Sequence, residues 1–189
     1  MLTRRAVLLA LGAAGASFTS LPSLSHAGQA VAISLEDLLR RSRRVAVATA
    51  LGGECRWEVV GAHRRIVTYN RVWVDEPLDD EAGERELVVR TLGGRVGKIG
   101  QIVHGEAMLV RGTTSVLFLR ELDSQTHRVT AMAQGHFPLH FDADRTPRLR
   151  ASPHRGGLID TPRSAARRLV GRSLTEAADL IREARRDAR

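Results

Sequence analysis

Two long runs of β-branched, aromatic and aliphatic residues lie end to end near the start of this chain. "VAVATALGGECRWEVV" runs from Val45 to Val60 and "RIVTYNRVWV" from Arg65 to Val74, with Gly61-Ala62-His63 between them. Neither run keeps the three-to-four spacing of an amphipathic helix, and Gly61 to His63 have the composition of a turn. The first run is expected as a strand over 45–51 continued over 55–60, with Gly52-Gly53 as a bend or bulge, and the second as a strand over 65–74. A chain that starts this way must build antiparallel sheet.

More β pattern follows. "RELVVRTL" (85–92) reads as a third strand, after "EPLDDEAGE" (76–84), which has the proline, glycine and acids of a solvated loop. "SVLFLREL" (115–122), the turn Asp123-Ser124-Gln125 and "HRVTAMA" (127–133) read as a hairpin. "GHFPLHF" (135–141) alternates Phe137, Leu139 and Phe141 with His136, Pro138 and His140, and its proline marks an edge strand. The expected fold class is mostly β: an OB-like antiparallel barrel of five to six strands, with a short N-terminal helix and a C-terminal amphipathic helix. The N-terminal helix is "SLEDLLRRSRR" (34–44), with Ser34 as N-cap and leucines 35, 38 and 39 on one stripe. The C-terminal helix is "SLTEAADLIREARRDAR", opened by a Ser173/Glu176 capping box and striped by Leu174, Ala177, Ala178, Ile181 and Ala184.

The ends set the compartment. Arg4-Arg5, the apolar "AVLLALGAAGA" and Ser25-His26-Ala27 make residues 1–27 an expected signal peptide of twin-arginine type, cut after Ala27. Its apolar run is shorter than the ~20 residues a membrane-spanning helix needs. The mature chain is therefore expected to be periplasmic or secreted, with no transmembrane segment. It has one cysteine, Cys55, so no intrachain disulfide can form. Residues 28–142 are expected as the β domain and 143–189 as a basic tail with a terminal helix. The charge divides similarly: residues 28–144 hold 15 basic and 16 acidic side chains, whereas 145–189 hold 12 arginines and five acids. The stretch "DADRTPRLRASPHRGGLIDTPR" has no sustained period and is expected as an extended linker or loosely docked segment.

Chemistry is sought first in "LGGRVGKIGQIVHGEAMLVRG" (92–112), where a lysine stands among glycines. A phosphate loop needs glycine five residues before Gly97 and a hydroxyl after Lys98; Leu92 and Ile99 stand there instead. The stretch reads as the long connection between the third and fourth strands of the barrel. His136 and His140, four apart on a strand, share a face but lie ~13 Å apart, too far to hold one zinc ion, and are expected to face solvent on the edge strand. No Gly-x-Ser-x-Gly elbow occurs. The acids Asp79, Asp80, Glu81 and Glu84 lack the spacing of a calcium loop. No catalytic residue, metal site, cofactor or nucleic-acid partner is expected. The candidate binding residues are Gly94, Gly97, Gln101, His104 and Glu106 in the connection, with Gln134.

The stretch "VWVDEPL…ELVVRTLGGRVGKIGQIVHGEAMLVRGTTSVLFLRELDSQTHRVTAMAQGHF" resembles a family of uncharacterised exported bacterial β-domain proteins of myxobacteria and other proteobacteria. The resemblance covers roughly residues 34–141. Members of that family are often encoded near secreted matrixin-like metalloproteases, which implies a protease partner. More distantly the arrangement is similar to the netrin-like OB barrels of metalloproteinase inhibitors. Those have several disulfides and an N-terminal zinc-chelating cysteine, and this chain has neither. The functional expectation is an exported, non-catalytic binding or accessory module acting with a protein partner such as a secreted metalloprotease. The alternatives are an envelope-anchoring protein whose basic tail meets an anionic surface, and an enzyme whose site the sequence does not reveal.

Overall fold

An uninterrupted apolar strand needs cover on both faces, and "VAVATAL" finds it. In the computed structural model, which describes residues 30–79 and 83–187, Val45 and Val47 enter one apolar cluster while Ala46, Ala48 and Ala50 enter a second. "VLFL" divides likewise, with Val116 and Phe118 on one side and Leu117 and Leu119 on the other. The expected signal peptide lies outside the described residues, as do Asp80 and Glu81 of the acidic loop.

The elements in chain order begin with β1 (Ala30–Val31), α1 (Leu35–Arg40), β2 (Arg44–Val60), β3 (His63–Pro77) and β4 (Glu86–Leu92). A small hairpin, β5 (Gly94–Val96) and β6 (Ile99–Gln101), precedes β7 (Thr114–Glu121) and β8 (Thr126–Val129). A 3-10 turn over Met132–Gly135 leads into β9 (His136–Phe141), and β10 (Pro147–Leu149), β11 (Leu158–Ile159), α2 (Ala165–Leu169) and α3 (Leu174–Asp187) complete the chain.

The protein is mostly β, with few helices. One seven-stranded mixed sheet has the order β10-β9-β7-β2-β3-β4-β8, and β7 also pairs with β8. The β4–β8 pairing, Val88 with Thr126 and Val89 with His127, is parallel, and the other pairings of this sheet are antiparallel. The run 45–60 forms one continuous strand interrupted by a bulge, as its sequence leads one to expect. The register slips between Ala50 and Gly52, so Leu51 is an extra residue that bends β2 away from β7.

Helices cover the outer face of the sheet. Leu35, Leu38 and Leu39 of α1, Leu169 of α2 and Ala177, Ala178, Ile181 and Ala184 of α3 pack with Phe118 and Phe137. The capping residues do what their spacing requires: Ser34 Oγ accepts from Asp37 N at 3.0 Å, and Glu176 Oε2 accepts from Ser173 N at 2.8 Å. No helix among the described residues is long and apolar enough to cross a membrane.

The expectation of a linker after Asp142 is corrected. Leu149 is fully buried, its N–H donates to Arg172 O at 3.0 Å, and Gly171 N donates back to Leu149 O at 2.8 Å. Arg185 fixes α3 in place by donating from Nη1 to Leu39 O at 2.8 Å and to Ser42 O at 3.2 Å, with Nη2 3.3 Å from Asp79. Because β10 pairs with β9, the strand 136–141 is also not an edge. The expected count of five to six strands falls short for the same reason: this segment adds a strand to the sheet.

Candidate functional site

The inward positions of β3 read Ile66, Thr68, Asn70, Val72 and Val74. Two polar residues interrupt an apolar face, and a cavity of about 310 Å³ opens above them. That is the size of a small-ligand or side-chain pocket. Gly53 and Cys55 of β2 and Thr91 of β4 extend the floor, and residues of the glycine-rich connection, from Gly93 to Leu109, line the rest. Arg111 and His154 also line it.

The β5–β6 hairpin lies directly on this floor because Gly94 has no side chain. A Cβ there would lie 2.4 Å from Thr68 Oγ1 and 2.7 Å from Cys55 Sγ, and the backbone has φ +126. Two contacts fasten the hairpin to β3: Gly93 N donates to Ile66 O at 2.8 Å, and Ile66 N donates to Gln101 Oε1 at 2.6 Å. Thr68 Oγ1 donates to Gly93 O at 2.6 Å and lies 3.2 Å from Cys55 Sγ. Asn70 Nδ2 donates to Val89 O at 3.1 Å and to Thr91 Oγ1 at 3.0 Å. The polar floor is therefore internally satisfied and rigid.

Glu106 is the one buried acid of the cavity wall. Its Oε1 accepts from Ala107 N at 3.1 Å. Burial pushes its carboxyl above the ordinary value, partly offset by the Ala107 and Leu92 amides and by the positive field of Arg128 and Arg90. Above it, Ile102 is 77% and Met108 51% exposed although both line the cavity.

The candidate residues of the connection divide. Gly94, Gln101 and Glu106 line the cavity. Gly97 turns the β5–β6 hairpin at φ +60 with open space around its Cα, and His104 is exposed beside Gly105. Gln134 lies elsewhere, its Oε1 accepting from Ile33 N at 2.8 Å and so fastening the N-terminal segment. Cys55, Thr68, Asn70 and Thr91 were not among the sequence candidates. The break of apolar alternation at Thr68 and Asn70 is the signal that points to them.

A serine–histidine contact occurs between β7 and β9. His136 Nε2 lies 3.1 Å from Ser115 Oγ and His136 Nδ1 3.1 Å from Ser152 Oγ, with all three residues at most 3% exposed. No substrate reaches a hydroxyl enclosed this way, so the trio is a structural network. This corrects the expectation of a solvent-facing histidine. Desolvation, helped by the nearby His154, lowers the His136 pKa to about 4. The unfolded chain binds this proton near pH 6.5 and the folded chain does not until about pH 4. Stability is therefore lost as pH falls through that window, by roughly 3 kcal/mol in total. Urea unfolding from pH 7 to pH 4 should show the loss, and His136→Gln should remove that pH-dependent part. An unchanged pH profile in the variant would assign the loss to other groups.

On the outer face, Glu58 receives Tyr69 Oη at 2.6 Å, Arg56 Nε at 2.8 Å and Arg90 Nη2 at 2.9 Å. The tyrosine hydroxyl first, then the two guanidinium groups, hold its carboxyl down to about 2 despite some desolvation. Arg56 also stacks 4.2 Å from the Tyr69 ring centre. Among the described residues no group of three His, Cys, Asp or Glu side chains is placed to hold a metal ion. Compared with known protein families, curated proteins and solved structures, the chain matches none.

Proposed function

We propose that this chain is an exported, non-catalytic binding module that holds a protein partner at the mouth of the Thr68–Glu106 cavity. The observation that carries the reading is the pairing of a closed, satisfied polar floor with an exposed apolar rim at Ile102 and Met108. An apolar rim favours a protein side chain over a small polar solute. A secreted protease is the partner class that the family resemblance implies. The twin-arginine-like leader and the single cysteine support a periplasmic or secreted location.

The finer fold reading is an OB-like barrel. Its support is the ring of pairings β2–β3, β3–β4, β4–β8, β8–β7 and β7–β2, in which only β4–β8 is parallel. In that order the glycine-rich connection joins the third barrel strand to the fourth. Anchoring through the basic C-terminal segment has less support. Arg148, Arg167, Arg168, Arg172, Arg182 and Arg185 each pair with an acid of this chain, which leaves less charge for a surface.

The test is capture of proteins from culture supernatant on the immobilised mature chain. Ile102→Asp/Met108→Asp should lose the captured partner more than tenfold while melting like the wild type, because both side chains are exposed. Equal capture by the variant would remove the cavity mouth from the proposal. Turnover of a hydrolase substrate that Glu106→Gln abolishes would overturn its non-catalytic part.

A further inference from the structure

The second half of β2 has an open edge. Arg44–Thr49 pair with β7 on one side and Ala46–Ala50 with β3 on the other, but after the Leu51 bulge the strand is no longer laddered with β7. From Glu54 to Val60 it is laddered, among the described residues, with β3 alone. At ~3.3 Å per residue this edge is ~23 Å long. It contains no proline, and Val59 is 77% exposed on it.

The direction of its free hydrogen bonds follows from Ile66. That residue sends its N–H to Gln101 and receives Gly93 N on its carbonyl, both away from β2. Its β2 partner Trp57 therefore turns its own N–H and C=O outward, as do Cys55 and Val59, two residues to either side. An incoming antiparallel strand must set its outward residues against these three.

We infer that this edge pairs with the same edge of a second copy of the chain, antiparallel about a two-fold axis through Trp57. Charge selects both the partner and the register. With Trp57 opposite the partner's Trp57, Cys55 meets the partner's Val59 and Arg56 meets the partner's Glu58, in both directions. The Arg56–Glu58 pairs then fall at non-hydrogen-bonded positions, where facing side chains approach most closely. Sliding by one allowed step brings Arg56 against Arg56 or Glu58 against Glu58. Edges that avoid self-pairing present prolines or charges that repel a copy, and here the charges attract one in a single register. Arg56 is well placed to reach across, since its side chain is 65% exposed, and Glu58 is already held ionised by Tyr69, Arg56 and Arg90. The isologous contact closes on itself as a dimer.

Sedimentation velocity of the mature chain, from micromolar to near-millimolar concentration, tests the pairing. The wild type should show a monomer–dimer equilibrium. Arg56→Glu and Glu58→Arg should each remain monomeric. An equimolar mixture of the two should regain the dimer, because two carboxylates on one chain then face two guanidinium groups on the other. Trp57→Pro removes an outward N–H without touching the β3 ladder, so it should also be monomeric while melting cooperatively; it serves as the second variant if Glu58→Arg fails to fold. A wild type that stays monomeric at the highest concentration, a mixture that stays monomeric, or single variants that still dimerise would overturn the inference.

Discussion

Cutting the chain after Asp142 is expected to unfold the domain rather than trim a tail from it. The deleted part contains Leu149, Leu169 and Ile181, each at most 1% exposed, and Ala165, Ala177, Ala178 and Ala184 beside them. Fully burying a Leu or Ile side chain contributes about 1.5–3 kcal/mol, so the three large residues alone amount to roughly 5–9 kcal/mol. The cut would also uncover Leu35, Leu38 and Leu39. Against a total stability of about 5–15 kcal/mol for an ordinary domain, that loss leaves little or nothing. Circular dichroism of chain 28–142 should show no cooperative melt, and the amide resonances should lose their dispersion. A cooperative transition close to that of chain 28–189 would show residues 143–189 to be accessory.

Phe118→Ala is expected to cost about 4 kcal/mol. Phe118 is fully buried and meets the edge of Phe137 at a ring separation of 5.9 Å and an interplanar angle of 67°. The site cannot collapse from the side of the 3-10 turn. Gly135 already brings its backbone close: a Cβ on it would lie 2.3 Å from Thr130 O and 3.3 Å from Phe118 Cβ. Removal of the ring therefore leaves a cavity bounded by strand backbone and by the α1 leucines. Equilibrium denaturation should give the lower midpoint with an unchanged slope, and Phe118→Leu should recover more than half of the loss. A loss below about 1.5 kcal/mol for alanine would mean that α1 moves inward to fill the space.

Legibility in the sequence follows the length of each element. The strands of the large sheet between residues 44 and 141 announce themselves, because runs such as "VAVATAL" and "SVLFL" have enough residues to set a period. The Ser173/Glu176 box announces α3 because capping is local chemistry. Between Asp142 and Ser173 the elements are too short to leave a pattern: β10 has three residues, β11 two and α2 five. They are held by contacts distant in sequence, such as Ala32 N to Ile159 O at 2.9 Å, which no window of residues contains. The candidate site divides in the same way. The glycines of the connection stand out by composition and lead to Gly94, Gln101 and Glu106. The floor emerges only when Thr68 and Asn70 are seen as polar intrusions on an inward face. Cys55 joins them through its cross-strand pairing with Thr68, and pairing is a property of the fold.

The Arg185–Leu39 hydrogen bond spans 146 residues of sequence. At the usual ~5–20 residues per second of synthesis, the α1 leucines wait about 7–30 s on the ribosome before the helix that covers them exists. During that interval α1 can meet Val45, Val47, Phe118 and Phe137 of the sheet but lacks the cover of α2 and α3. Whatever binds nascent apolar segments in the cell has time to do so. The order in which this protein is made thus leaves one side of α1 uncovered until synthesis is nearly finished.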